Sequence, residues 1–351
     1  MKRILVTGGS GFIGSHTCLV LLQKGYEIIV LDSCVNSSPK SLEKVLEIVK
    51  NLGYNSDEKL TFIKGDLRDI QTLENIFNDS KLANKHIDGV IHFAGLKAVG
   101  ESVKLPLIYW DSNVIGTINL LKVMESNNCR KIVFSSSATI YGKTINIALD
   151  ENTPVKAVNP YGNTKVVIER LLNDLFDASN RKWRIANLRY FNPIGAHSSG
   201  LIGEAPLGIP NNIFPFITQV ATGQRRELNI FGNDWPTPDG TGIRDYIHVM
   251  DLAEGHISAL EYLCKEEPQV LNLNLGTGKG TSVLELVDVF QKVNKIKINY
   301  VFVARREGDS PVVIADNTLA ISRLDWRPKR SLEDMCRDGW NWQYMNPKGY
   351  S

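Results

Sequence analysis

The sequence predicts an α/β fold, a doubly wound parallel sheet (Rossmann-type) with a smaller mixed α/β C-terminal substrate domain. Three observations carry that prediction. Residues 1–190 repeat one unit: a short strand apolar on both faces, a turn, then a longer helix. Such strands suit a parallel sheet covered by helices on two sides. A glycine-rich turn joins the first predicted strand to the first predicted helix, as in sheets that cradle a phosphate. Finally, 351 residues of which 43% are hydrophobic and 22% charged are enough for two units with buried cores, without disulfides or metals.

The predicted strands are Arg3–Thr7, Glu27–Leu31, Leu60–Lys64, Gly89–Phe93, Arg130–Ser135 and Trp183–Tyr190, each rich in Ile, Val, Leu and Phe. Between them, helical periodicity predicts Ile13–Gln23, Ser41–Lys50, Asn113–Ser126 and Pro160–Ala178. That alternation implies right-handed crossovers. After Tyr190 the composition changes. Residues 192–212 hold three prolines and four glycines, and residues 232–242 two prolines and three glycines; these are loop compositions. Helices are predicted at Asp251–Cys264, Ser282–Asn294 and Ser331–Tyr344, with strands at Leu228–Phe231, Val270–Leu275 and Lys297–Phe302. We read 1–190 as a cofactor-binding domain and 191–351 as mainly a substrate domain whose long loops cross the cleft, with chain crossings back to the first.

Forty basic residues against 38 acidic ones, a net charge of +2, argue against a polyanion-binding surface, so no nucleic-acid partner is expected. The longest apolar runs are four or five residues, such as Cys18–Leu22, whereas a membrane span needs about 20. The N-terminal segment reaches Gly8 too soon for a signal-peptide core. Five cysteines, no two close in sequence, fit reduced thiols, and a cytoplasmic location is expected.

Gly8, Gly11 and Gly14 lie in a turn that follows the first strand and opens the first helix. A turn free of side chains lets the amides of a helix N-terminus approach a pyrophosphate. Asp32 ends the second strand 18 residues after Gly14, where a carboxylate can bond a ribose diol and repel a 2′-phosphate. No arginine lies between Asp32 and Lys64, so NAD is favoured over NADP. Two other patterns are set aside. Gly276–Thr281 looks like a phosphate loop but has Leu273 and Gly280 where such a loop needs glycine and a hydroxyl residue. His248, Asp251 and His256 fit no metal-ligand spacing, and a polar-network role is expected for them.

Asn159 and Pro160 are a favourable cap and first residue for a helix that places Tyr161 and Lys165 four residues apart on one face. A tyrosine becomes a useful base at neutral pH only when its pKa falls by about three units, roughly 4 kcal/mol of differential stabilisation. The Lys165 ammonium, the helix N-terminus and an oxidised nicotinamide are candidate sources. Ser135-Ser136-Ser137 ends the fifth predicted strand near the cleft. Ser137 there can bond the same substrate hydroxyl as the tyrosine; taken alone, the three serines could equally be a capping turn.

Together, the turn Thr7–Gly14, the serine triplet and Tyr161-x-x-x-Lys165 resemble the short-chain dehydrogenase/reductase superfamily in its extended, nucleotide-sugar branch. His92–Ser102, Phe134–Thr139, Leu188–Pro193, Gly242–Val249 and Arg305–Asp309 are similar to the UDP-glucose 4-epimerase family, and the similarity runs from Lys2 to about Tyr350. The resemblance implies reversible interconversion of UDP-glucose and UDP-galactose through a 4-keto sugar on tightly held NAD. Tyr161 would take the 4-hydroxyl proton, directly or through Ser137, with Lys165 as its partner. It places Gly8, Gly11, Phe12, Ile13, Gly14, Asp32, Asn36, Ser37, Asp66, Leu67, Phe93, Ala94, Gly95, Leu96, Lys97, Ser112, Ser137, Tyr161, Lys165 and Phe191 on cofactor positions. On the substrate side it places Lys97, Ser137, Tyr161, Asn192, Asn212, Ile213 and Val313 near the sugar nucleotide. Asn229 and Phe231 would frame the uracil, Arg244 and Arg306 the diphosphate, and Asp309 the ribose. Ser112 departs from an asparagine common in the family. The resemblance also implies a homodimer through paired helices. Val313, lacking a tyrosine's ring, leaves room for some activity on UDP-N-acetylglucosamine. A related dehydratase would need Asp-Glu directly after Ser137, where Ala138-Thr139 stands. A non-catalytic NAD-binding regulator would tend to lose Tyr161 or Lys165.

Overall fold

The computed structural model describes residues 2–55, 58–143, 148–306 and 308–350; Glu307, within one of the quoted motifs, lies outside them. Seven strands form one sheet: β1 (Arg3–Thr7), β2 (Glu27–Asp32), β3 (Leu60–Lys64), β4 (Ile87–His92), β5 (Lys131–Ser137), β6 (Arg184–Tyr190) and β7 (Val270–Leu275). Every pairing is parallel, in the order β7-β6-β5-β4-β1-β2-β3. The order reverses direction between β1 and β4. In open α/β sheets a ligand crevice lies outside the carboxyl ends of the strands beside such a reversal.

Burial explains the apolar strands. Ile4, Leu5 and Val6 of β1 are all fully buried, since helices cover both faces, and each is worth about 1.5–3 kcal/mol in removed apolar surface. The first helix, Phe12–Gln23, is buried from Gly14 to Leu22. It is apolar all round because the sheet, the Lys40–Asn51 helix and the Val249–Lys265 helix surround it.

The chain crosses the boundary expected at residue 190 in both directions. Val270–Leu275, read from sequence as part of the second region, is the edge strand of the large sheet. Ala148–Leu149 leaves the first region to join a small four-stranded sheet with Val312–Ala315, Ile243–Arg244 and Thr281–Ser282. Two parallel pairs complete the second region. Asn192–Ile194 runs beside Tyr246–His248, and Leu228–Phe231 beside Tyr300–Val303. The last strand starts three residues later than the expected Lys297, because the Ile298 amide is taken by the Gln291 side chain (2.8 Å).

Two other differences matter for the site. The expected helix from Asn113 begins with a π-helical turn, Trp110–Ile115, and becomes α-helical only at Gly116; such turns recur at functional sites. The Gly276–Thr281 loop does cradle an anion, but its own: the Asp245 carboxylate accepts from the amides of Thr277 (2.7 Å), Gly278 (2.9 Å) and Ala315 (3.2 Å). His248 caps the Val249–Lys265 helix, and His256 bonds the Leu252 carbonyl and the Tyr190 hydroxyl.

Candidate active site

The crevice at the β1/β4 reversal begins with the glycine turn. Gly8 has φ +71°, and a Cβ there would lie 2.6 Å from the Ala94 amide. At Gly14 a Cβ would meet the Gly8 carbonyl at 2.4 Å. The first helix therefore closes onto the turn only with glycine at both places. Its N-cap, Gly11, provides no side-chain acceptor, so the amides of Phe12 and Ile13 face the crevice with the positive end of the helix dipole. Asp32, almost buried, accepts from the Ser10 amide (3.0 Å), the Cys34 amide (2.9 Å) and the Ser37 hydroxyl (2.9 Å). It braces the turn and leaves part of its acceptor capacity free. Asn36 is exposed beside it. Further along, Asp66 is held by Arg68 (2.7 Å), which keeps its carboxyl below the usual range, and Leu67 is buried.

The segment after β4 forms the opposite lip. Phe93 stacks on His256 with ring centres 4.7 Å apart, and the Phe93 and Ala94 amides donate to the Thr7 carbonyl. Leu96 is fixed by Asn113, whose side chain accepts from its amide (2.7 Å), donates to its carbonyl (3.0 Å) and reaches Thr164 (3.1 Å). Gly95 lies against the same asparagine. This fastening residue is the neighbour of Ser112, which the family resemblance places among the cofactor positions. The π turn adds one residue to the ladder and points Asn113 inward, which a 3.6-residue period does not forecast.

Tyr161, Lys165 and Ser137 converge at the carboxyl end of β5. Asn159 caps their helix by accepting from the Gly162 amide (2.8 Å). The Lys165 ammonium donates to the Ser135 carbonyl (2.7 Å) and lies 5.8 Å from the centre of the Tyr161 ring. Burial lowers its pKa to about 8, opposed by the nearby Glu169 carboxylate. Glu169 is held in turn by Ser136 (2.6 Å) and the buried Arg189 (2.8 Å), a network the sequence reading did not identify. Protein crowded around the Tyr161 hydroxyl pushes the phenol above its usual value, and the Ser137 hydroxyl works the other way. In the chain by itself burial therefore outweighs the Ser137 hydroxyl, and the balance lies against the ionised phenol.

The facing wall comes from the second region. Parallel pairing sets Arg244 opposite Val313. Val313 is half-buried against the cluster holding Tyr141 and Phe191. The strand pair sets Phe231 opposite Val303, and three residues on, the Arg306 guanidinium stacks 4.4 Å above the Phe231 ring. Arg306 pairs with Asp309 (3.4 Å). Burial and the like charge of Arg306 lower the Arg244 pKa, while Asp309 raises it. Two guanidiniums therefore face one carboxylate among the described residues, which leaves positive charge for a dianion. Asn229 and Phe231 lie exposed on one face of their strand. Asn192 opens its strand, with its amide on the Asp245 carbonyl (2.9 Å). Asn212 starts the Ile213–Ala221 helix, Ile213 being its first residue.

A family model described as GDP-mannose 4,6 dehydratase matches residues 5–339. UDP-glucose 4-epimerase 1 of Oryza sativa subsp. japonica is 52% identical over 352 residues, covering 100% of this chain and 97% of that one. The UDP-glucose 4-epimerase of Bacillus subtilis (strain 168) is 51% identical, covering 99% and 98%. The chain belongs to the UDP-glucose 4-epimerase family. Among solved structures, the Bifidobacterium longum family member in complex with NAD+ and UDP superposes with a TM-score of 0.91 at 45% identity, covering 99% and 100%. The Stenotrophomonas maltophila epimerase, with bound NAD and formylated UDP-arabinopyranose, gives 0.92 at 44% identity, covering 99% of each chain. Where a dehydratase's acid pair would stand, this epimerase-family chain has Ala138 and Thr139, and Thr139 is committed to Ser137 through its amide (3.2 Å) and hydroxyl (2.8 Å).

Proposed function

We propose that the protein interconverts UDP-glucose and UDP-galactose by inverting carbon 4 on a resident NAD. What supports this reading is the convergence of Tyr161, Ser137 and Lys165 at the end of β5, together with Arg244 and Arg306 near Asp309 in the second region. The glycine turn fits the cofactor's pyrophosphate, since Gly8 and Gly14 leave no room for a Cβ and the helix end above them is uncapped. Asp32 fits a ribose diol. NAD, when bound, supplies the hydride acceptor and donor and a positive ring near the tyrosine.

The chain's own residues do the rest. Tyr161 removes the proton of the 4-hydroxyl, directly or through Ser137, and later returns it. Lys165, with a pKa near 8, keeps a positive charge beside the phenol at neutral pH and favours its ionised form. One base serves both faces of the sugar, so the sugar is loosely held while the 4-keto form turns over. Anchoring falls to the nucleotide: Phe231 and Asn229 at the uracil, Asp309 at the ribose, Arg244 and Arg306 at the diphosphate. Asn192, Asn212 and Val313 border the sugar.

A homodimer through paired helices is part of the proposal, supported by apolar side chains exposed on the helices of residues 99–109, among them Leu107 and Val103. A cytoplasmic setting is supported by the five unpaired cysteines. The test is to incubate purified protein with UDP-galactose, with and without added NAD. Formation of UDP-glucose is expected in both; none in either overturns the reading.

A further inference from the structure

Lys97 comes from the segment after β4 and Asn212 from the second region, and one atom joins them. The Glu204 carboxylate oxygen Oε1 accepts from Lys97 Nζ at 3.3 Å and from Asn212 Nδ2 at 3.0 Å. Lys97 follows the lip that Asn113 fixes, whereas Asn212 begins the Ile213–Ala221 helix. Asparagine is among the favoured helix caps, yet Asn212 makes no side-chain cap bond on its own helix and turns to Glu204 instead.

Glu204 is placed to do this by the C-terminal segment. Its carbonyl accepts from the Trp342 indole (3.2 Å), and the Gly203 amide donates to the Tyr350 hydroxyl (3.1 Å). Gly203 packs so closely that a Cβ would fall 2.3 Å from the Trp342 ring. The Glu204 side chain is only 11% exposed, against 47% for Lys97. A carboxylate so close to a site for anionic ligands opposes them unless a cation answers it, and Lys97 is that cation.

We infer that Glu204 is a positioning residue, which ties the cofactor-side Lys97 to the substrate-side Asn212 so that the two walls receive the nucleotide sugar as one unit. The inference rests on the proposed epimerase reading and deepens it. Glu204 touches neither reacting atom; it acts through its two partners. Its loss therefore weakens substrate capture more than the chemical step.

The experiment compares holoenzyme of the wild type, Glu204→Gln and Glu204→Ala with UDP-galactose. Glu204→Ala should raise KM about tenfold with kcat within about threefold, because a hydrogen bond to a charged group is lost on each side. Glu204→Gln keeps an acceptor for Asn212 and should raise KM about threefold. Asn212→Ala should raise KM clearly in the wild-type background and little in Glu204→Ala, a non-additivity that a merely structural residue would not give. If Glu204→Ala does not fold, the near-isosteric Glu204→Gln combined with Lys97→Met supplies the cycle. Unmoved KM values or additive effects, with an active wild type, overturn this inference alone. An inert wild type overturns the epimerase reading, and this inference with it.

Discussion

On the sheet side Asp32 accepts three hydrogen bonds and Asn113 makes three, whereas in the second region Arg306 pairs with Asp309 and Arg244 feels that carboxylate only at a distance. Asp32 and Asn113 are held by their own chain. The second region leaves positive charge for a ligand to answer. The difference matches the residence of the two ligands proposed for them: a cofactor that remains can be met by a pre-organised wall, while a substrate that must leave is better met by groups that gain most when it binds. Glu204 is the place where the two meet.

The comparison is tested hardest at the base. Tyr161→Phe should cut turnover of UDP-galactose by about 100-fold or more while fold and NAD content stay as in the wild type, since loss of a general base typically costs that much. Turnover within a few-fold of wild type removes Tyr161 from the role. On the charged wall, Arg244→Ala should raise KM by roughly 30-fold and the more exposed Arg306→Ala by about tenfold, within the range for charge-assisted bonds. Equal and small effects from both would mean that the positive wall does not hold the diphosphate.

The buried histidines make their own prediction, on stability rather than rate. Burial lowers the pKa of His16 and His92 to about 3 and of His256 to about 4, from 6.5. The unfolded chain binds these three protons between pH 6.5 and about 4, and the folded chain does not. Stability therefore falls as pH drops through that window, by roughly 4 kcal/mol per pH unit when all three count. Thermal midpoints at pH 7 and pH 5 measure it, and equal midpoints refute it.

Asp32→Ala should weaken NAD about tenfold in a titration and let NADP bind comparably, by removing both the diol partner and the charge that opposes a phosphate. Wild-type protein that binds both cofactors equally would contradict this. The smallest expected effect on the main reaction is Val313→Tyr, with UDP-galactose turnover within about threefold of wild type. Because the ring would fill the space beside the sugar, the same change should abolish the modest turnover of UDP-N-acetylglucosamine expected of the wild type. No such turnover in the wild type would show that Val313 serves packing alone.

The seven strands of the large sheet, most helices and the glycine turn were legible in the sequence because their causes are local: apolar runs, helical spacing, and a strand leading into glycines at Gly8, Gly11 and Gly14. The Tyr161–Lys165 register followed from one helical turn and a capping Asn159. The family resemblance added the residues proposed to meet the substrate, whose arginines stand far apart in sequence. What the sequence did not disclose depends on distance along the chain or on a local irregularity. Asn113 turns inward to hold Leu96 from within a π turn, which helical spacing does not forecast. The pKa of Tyr161 rises because of the protein packed around it, and the glycines at 276–280 receive Asp245, 31 residues upstream at the nearest. Lys97 and Asn212 share Glu204 across 107 and 8 residues of chain. Periodicity and propensity report what a segment does with its neighbours in sequence. Which distant carboxylate reaches which cation is decided only when the sheet, the long loops and the C-terminal segment close on one another.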